Sequence, residues 1–290
     1  MKILYLSGAR TADYLCDGLL HGLRTTFGPD VVDIFPLRHM YKGSDQSKTY
    51  GKGFTLFGTL DPCEVDRTDI PAKLRNKYFD YIFFGSIQRE FSILGEVRNT
   101  YGPDQIIFID GEDNPDIMID LVGTGQYFKR ELYNPHDNVH PIQFGFPEEK
   151  IQPMAPKTCL MAPLDPHDTR TYIYEDEATY YASYQSALFG KTMKKAGYDC
   201  LRHYEIMGCR TIPWFINLET VPQTIMTKLP KEEFIVAKTM LEYKRGELFL
   251  TSAGERIWES LESRIFEKFK ANLTTKALAQ YVIDTVQKAA

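Results

Sequence analysis

Lys2-Ile3-Leu4-Tyr5-Leu6-Ser7-Gly8 is an apolar run stopped by a small-residue turn, the pattern of a short buried strand. Beyond Arg10, residues Tyr14, Leu15, Leu19, Leu20, Leu23 and Phe27 recur at helical spacing, which predicts a helix over 12–27. Val31-Val32-Asp33-Ile34-Phe35, ended by Pro36, reads as a second strand. Strand, helix and strand in that order imply an α/β fold with a parallel sheet, whose working loops lie at the strand C-termini. Gly8 stands at the first such end, but the full Gly-rich dinucleotide fingerprint does not follow it.

The same alternation continues. An irregular excursion over residues 39–71, with a hairpin expected around Phe54 to Phe57, precedes a strand at 79–84 and a helix at 89–99. A strand at 105–109 runs into Asp110-Gly111-Glu112-Asp113. Three carboxylates therefore gather where such sheets build sites, although a solvated turn favours the same residues. Residues 148–156 read as a linker. Past it come a strand at 157–163, a helix at 176–189, a strand at 212–215, and helices at 231–243, 254–269 and 276–286.

At 290 residues the chain suits two domains of ordinary size. Its 13% aromatic share argues against disorder. A net charge of −5 provides no global basic field for nucleic acid or anionic membrane. Five cysteines without a CxxC pair fit reduced thiols better than a disulfide framework or a zinc site. With no basic, apolar leader and no run long enough to span a bilayer, the expectation is a soluble, cytoplasmic protein.

One stretch carries most of the chemistry: Lys194-Lys195-Ala196-Gly197-Tyr198-Asp199-Cys200-Leu201-Arg202-His203-Tyr204-Glu205, followed by Thr211-Ile212-Pro213-Trp214-Phe215. Asp199 is placed to cap a helix beginning there. A helix N-terminus suits a phosphate. Arg202 and Glu205, three apart, share one face, the Arg suited to a diphosphate and the Glu to ribose hydroxyls. A surface helix with a solvated ion pair is the competing reading.

Residues 197–205 and 209–215 resemble the donor-binding element of GT-B glycosyltransferases, in particular the spore-maturation, CgeB-like group of the glycosyl transferases group 1 clan. There a Glu on a helix precedes a small-residue turn and a strand, as Glu205 precedes Gly208 and Thr211-Ile212-Pro213. Asp110-Gly111-Glu112-Asp113 and Tyr127-Phe128-Lys129-Arg130-Glu131 resemble first-lobe segments of the same proteins. Many retaining members carry two Glu eight positions apart; Glu205 matches the second, and Gly197 stands at the first.

The resemblance implies two Rossmann-like lobes of compact GT-B type with a helical C-terminus. Residues 1–150 would form the acceptor-side lobe and 151–290 the nucleotide-sugar lobe. It implies transfer of a sugar from a nucleotide-sugar, with no metal and no cofactor beyond that donor. Arg202 and Lys191 or Lys195 would neutralise the leaving diphosphate. Glu205 would hold ribose hydroxyls, Tyr198 would cover the base, and Asp199 would cap the phosphate-binding helix. The acceptor (glycan, protein, small molecule or modified nucleic acid) would lie near Gly8, Arg10 and Asp113. Asp110 or Glu112 would act as general base if the reaction inverts the anomeric centre.

The histidines add little. His203 points away from Glu205 on a helix and suits packing. His136 and His140 are bracketed by prolines, and His167 follows a strand facing the cleft. Two other functions compete. A non-catalytic GT-B-like binding or assembly protein is motivated by Gly197 and the short chain. A Rossmann-like enzyme using another nucleotide cofactor is opposed by the missing Gly-rich loop.

Overall fold

The computed structural model describes residues 1–8, 12–44 and 55–289. The opening forms β1 (Ile3–Leu6), α1 (Tyr14–Phe27) and β2 (Val31–Asp33). Asp13 caps α1 by accepting the N–H groups of Leu15 and Cys16, and Gly28, at φ 59°, ends it. In the excursion that follows, the described residues form a turn over 55–58 and a bridge between Tyr41 and Leu60; the hairpin expected around Phe54 to Phe57 falls partly on residues 45–54, which lie outside the described residues.

Regular structure resumes with α2 (Ile70–Arg75), β3 (Tyr81–Phe84), α3 (Leu94–Arg98), β4 (Ile106–Asp110), β5 (Gln126–Lys129) and β6 (Val139–Pro141). The helix expected over 89–99 shrinks to α3, because the Glu90 carboxylate takes the N–H and hydroxyl of Ser92 and turns the chain there. β6 was hidden by its Pro/His/Asn surroundings; as an edge strand it tolerates Pro141. All six strands pair in parallel, in the order β2-β1-β3-β4-β5-β6. Side chains alternate across a sheet, so Ile3 and Tyr5 enter one core layer and Leu4 and Leu6 the other.

A second parallel sheet, separate from the first, has the order β7-β8-β9. Its strands are β7 (Cys159–Met161), β8 (Ala187–Thr192) and β9 (Ile212–Phe215), with α4 (Glu177–Gln185) before β8 and α5 (Leu201–Gly208) after it. Here the sequence reading needs correction. The helix expected to reach Phe189 stops at Gln185, and Ala187-Leu188-Phe189-Gly190 belongs to the central strand. A short run that is apolar throughout carries no period to separate strand from helix. At Gly190 a Cβ would lie 3.0 Å from the Ile206 side chain, so α5 packs directly on the strand backbone.

Next come α6 (Lys231–Thr239), the antiparallel hairpin of β10 (Leu241–Lys244) and β11 (Glu247–Leu250), α7 (Ser252–Asn272) and α8 (Thr275–Ala289). α6 ends before the expected residue 243 because residues 241–244 pair as a strand. α8 returns to the first sheet and lies along α1. The two helices approach so closely that a Cβ on Gly22 would meet the Thr275 carbonyl oxygen at 1.9 Å. His21 Nδ1 bonds Thr275 Oγ1 at 2.8 Å in the same contact. One apolar cluster runs from Ile3, Leu19 and Val282 through Phe146 to Phe189 and Ile212. The chain is thus α/β, its two sheets joined by a continuous core. Among the described residues no helix is long and apolar enough to cross a membrane.

Candidate functional site

Parallel sheets build sites beyond their strand C-termini, and both sheets present such an edge. At the first, Gly8 follows β1 and presses against Ser86 after β3, where an added Cβ would come within 2.7 Å of Ser86 Cβ. The α1 N-terminus is already answered by the Asp13 carboxylate. Asp13 in turn accepts from Ser86 Oγ at 3.0 Å and pairs with Arg89 at 3.4 Å, and Arg89 also binds Glu112 at 2.8 Å. Among the described residues, Asp13, Arg89 and Glu112 of this edge are paired with one another. Arg10 lies outside the described residues.

Asp110 faces inward. It has no exposed surface and accepts from Lys129 Nζ at 2.9 Å, Tyr127 Oη at 2.6 Å and Gln88 Nε2 at 3.0 Å. A carboxylate so enclosed, beside a buried ammonium, is placed to hold β4 to β5 rather than to meet an acceptor. Of the acidic loop, Asp113 is the member that reaches a cavity.

That cavity, of about 760 Å³, opens beyond the C-terminal end of β8. Its volume lies in the range of small-molecule sites. The β8–α5 segment supplies Thr192, Lys195, Asp199, Arg202 and Glu205 to its wall. Tyr172, Tyr174 and Tyr180 add an aromatic wall, and Tyr14, Asp113 and Phe144 close it from the first half of the chain.

The head of α5 differs from the expected cap. The helix starts at Leu201, and Cys200, at the cap position, makes no side-chain capping bond. Asp199 turns inward instead, accepting from Phe144 N–H at 2.8 Å and Tyr204 Oη at 2.8 Å. Burial pushes its carboxyl up to about 7, against the opposing pull of Arg130 and these two donors. The N–H groups of Tyr198 and Asp199 both donate to the buried Glu131 carboxylate, at 3.1 and 3.0 Å. A phosphate here would therefore rely on side-chain cations more than on those two amides. Gly197 follows from the same contact, since a Cβ there would sit 2.5 Å from Glu131 Oε1.

Arg202 is the one arginine or lysine on α5, and it lines the cavity. Its Nη1 donates to Tyr172 Oη at 2.9 Å, and its guanidinium carbon lies 4.9 Å from the Tyr172 ring centre. Its Nε is buried without a hydrogen-bond partner among the described residues. Burial opposes its charge, but Tyr184, Tyr180 and Glu205 raise its pKa above the ordinary arginine value. Glu205, 8% exposed, accepts from Thr55 Oγ1 at 2.6 Å and Tyr180 Oη at 2.5 Å. Burial raises its pKa, and these donors and Arg202 oppose the rise.

The remaining expected donor residues divide. Lys195 lines the cavity and donates to the Pro166 carbonyl at 2.6 Å. Lys191 is drawn to Asp165 at 2.5 Å, outside the lining. The Tyr198 ring turns to Tyr133 at 5.8 Å, with Lys194 Nζ 4.2 Å above it. His203 donates from Nε2 to the Tyr198 carbonyl, takes the Thr192 hydroxyl on Nδ1, and stacks on Phe215 at 4.4 Å. Burial lowers its pKa to about 4, so it packs as a neutral ring. His167 is exposed beside Asp165, outside the lining. Burial pushes the Cys200 thiol up to about 12, which removes it as a nucleophile at neutral pH.

Sequence reasoning missed Arg130, Glu131, Tyr172, Tyr180 and Thr55. Arg130 clamps the two halves of the chain: it donates to the Gly111 carbonyl at 3.0 Å and to the Asp199 carbonyl at 2.7 Å, and it pairs with Asp113 and Glu131. The available signal was Lys129-Arg130-Glu131, three charges in a row at the end of a buried strand. Tyr172, Tyr180 and Thr55 lie far from Arg202 and Glu205 along the chain and carried no comparable signal.

Chemically, the cavity offers two cations, Lys195 and Arg202, three carboxylates, of which Asp113 is exposed and Asp199 and Glu205 are buried, and several aromatic faces. That set suits a ligand with a charged diphosphate, hydroxyls and a flat ring. Among the described residues no cluster of three His, Cys, Asp or Glu side chains is placed to hold a metal ion. Comparison with known protein families, curated protein sequences and solved structures finds no match to this chain.

Proposed function

We propose that the chain is a glycosyltransferase that uses a nucleotide-sugar donor, bound in the cavity at the head of α5. The observation that carries this reading is the pairing of Arg202, with a buried and unpartnered Nε, and Glu205 on one helix face beyond a parallel strand. In the reaction, the bond between the anomeric carbon and the phosphate oxygen breaks as the acceptor oxygen bonds that carbon. The leaving diphosphate keeps the electron pair, and Arg202 and Lys195 stabilise its growing charge. With the donor on the α5 side, the acceptor enters from the side of Tyr14 and Asp113. Asp113 is the carboxylate of the acidic loop that could take the acceptor proton in an inverting reaction. A compact GT-B arrangement of two lobes, 1–150 and 151–290, belongs to the same reading. Its support is the pair of separate parallel sheets with a ligand-sized cavity lined from both halves.

A second reading, nucleotide binding without transfer, draws on the enclosure of Asp110 and the ion pair that engages Asp113 with Arg130. Incubation with a panel of nucleotide-sugars, following release of the nucleoside diphosphate, separates the two. Transfer predicts release with one donor, and Asp113→Asn should lower it by a factor of about 10² to 10⁴ if the product is inverted. Tight binding with no release across the panel and a broad acceptor set would replace transfer by binding.

A further inference from the structure

Thr55 stands 150 positions before Glu205 and makes three hydrogen bonds to the wall of the second sheet. Its N–H donates to Glu177 Oε1 at 2.7 Å, its hydroxyl meets Tyr181 Oη at 2.7 Å, and the same hydroxyl donates to Glu205 Oε1 at 2.6 Å. A hydroxyl has one proton, so with that proton on Glu205, Tyr181 must be the donor to Thr55. Tyr180 serves the other carboxylate oxygen. Thr55 is fully buried and holds φ at 62°, in the left-handed region that a β-branched residue rarely enters. Such a conformation persists only where the surroundings over-determine it. Here the surroundings are the three bonds to α4 and α5.

We propose that Thr55 is a positioning residue of the cavity, delivered from the first half of the chain to hold the Glu205 carboxylate in place for the hydroxyls of a bound ligand. The inference rests on the nucleotide reading above for the ligand's identity. A carboxylate has about four acceptor sites, so the hydroxyls of Thr55 and Tyr180 leave capacity on the side that faces the cavity. Among the described residues, the other ionisable groups around Glu205 are Glu177, Tyr181 and Tyr184 from α4, Arg202 from its own helix, and Cys209 just beyond it. Glu177 disfavours the anion and Arg202 favours it. The Thr55 hydroxyl adds a donor that only the anion can fully use, and removing it shifts Glu205 towards its protonated form.

The test reads Glu205 directly in the ligand-free protein. With glutamate carboxyls labelled with carbon-13, the Glu205 resonance is assigned by its loss in Glu205→Gln and followed against pH. Thr55→Val keeps the branched β-carbon but removes the hydroxyl, and should raise the Glu205 midpoint by about one pH unit. Thr55→Ser should restore it. Should the Val variant fail to fold, Thr55→Gly relieves the strained φ, removes the same hydroxyl and carries the same expectation. A folded Val or Gly variant with an unmoved midpoint overturns the proposal. Titration with UDP, GDP, ADP and inorganic diphosphate then extends the test. Below the raised midpoint, the Val variant should lose affinity for the nucleotide that binds the wild type and keep that for inorganic diphosphate. A moved midpoint in a protein that binds none of the three nucleotides supports the Thr55–Glu205 link and overturns the nucleotide reading instead.

Discussion

Arg202 and Asp199 sit three residues apart; burial disfavours the charge on both, and their surroundings restore it only on Arg202. Arg202 stays charged because a ring of tyrosines and Glu205 surrounds it, and its side chain lines the cavity where a ligand oxygen would bind. Arg202→Ala should remove a charged hydrogen bond of about 1.5–3 kcal/mol, roughly a ten- to hundredfold loss of nucleoside diphosphate affinity by calorimetry. Arg202→Lys should not restore it, since a lysine cannot both stack on Tyr172 and present a planar fork; full affinity in either variant would remove Arg202 from the site. Asp199 titrates near 7 when folded and near 4 when unfolded. The folded chain therefore binds the proton more tightly, and this contribution to stability is full below about pH 4 and is lost as pH rises through about 7. Urea unfolding across pH 4–8 should show wild type losing stability relative to Asp199→Asn, by an amount on the order of a few kcal/mol; parallel profiles would contradict the assignment. Part of this was legible in the sequence, because Arg202 and Glu205 share a face by spacing alone. The inward turn of Asp199 was not, since it depends on Phe144, Tyr204 and Arg130 arriving from elsewhere.

At the level of elements, the head of α5 is set by Glu131 rather than by a local cap. That buried carboxylate takes two amides just before the helix and leaves no volume for a side chain at residue 197. Gly197→Ala should overpack this contact and lower stability by about 1–3 kcal/mol, read as a fall in the urea midpoint; an unchanged midpoint would contradict the packing account. The opening β1-α1-β2 unit was legible because its periods are clear and Asp13 and Gly28 mark the ends of the helix. β8 was not, because no Gly or Pro between α4 and Ala187-Leu188-Phe189-Gly190 marks the end of the helix. The excursion containing Thr55 was equally opaque: its contribution lies in one hydroxyl placed by long-range contacts.

In the whole molecule, two parallel sheets share a continuous core, α8 binds the end of the chain to α1, and Arg130 links the acidic loop to the approach to α5. The account makes the second sheet's edge the nucleotide site, because the first sheet's edge pairs Asp13, Arg89 and Glu112 internally. A crystal structure of the protein soaked with a saturating nucleoside diphosphate tests this choice most directly. The account predicts the diphosphate at the head of α5, within hydrogen-bond distance of Arg202 and beside Lys195, with the ribose hydroxyls towards Glu205. Nucleotide bound instead between Gly8 and Arg89 at the end of β1, or a cavity left empty at saturation, would contradict it.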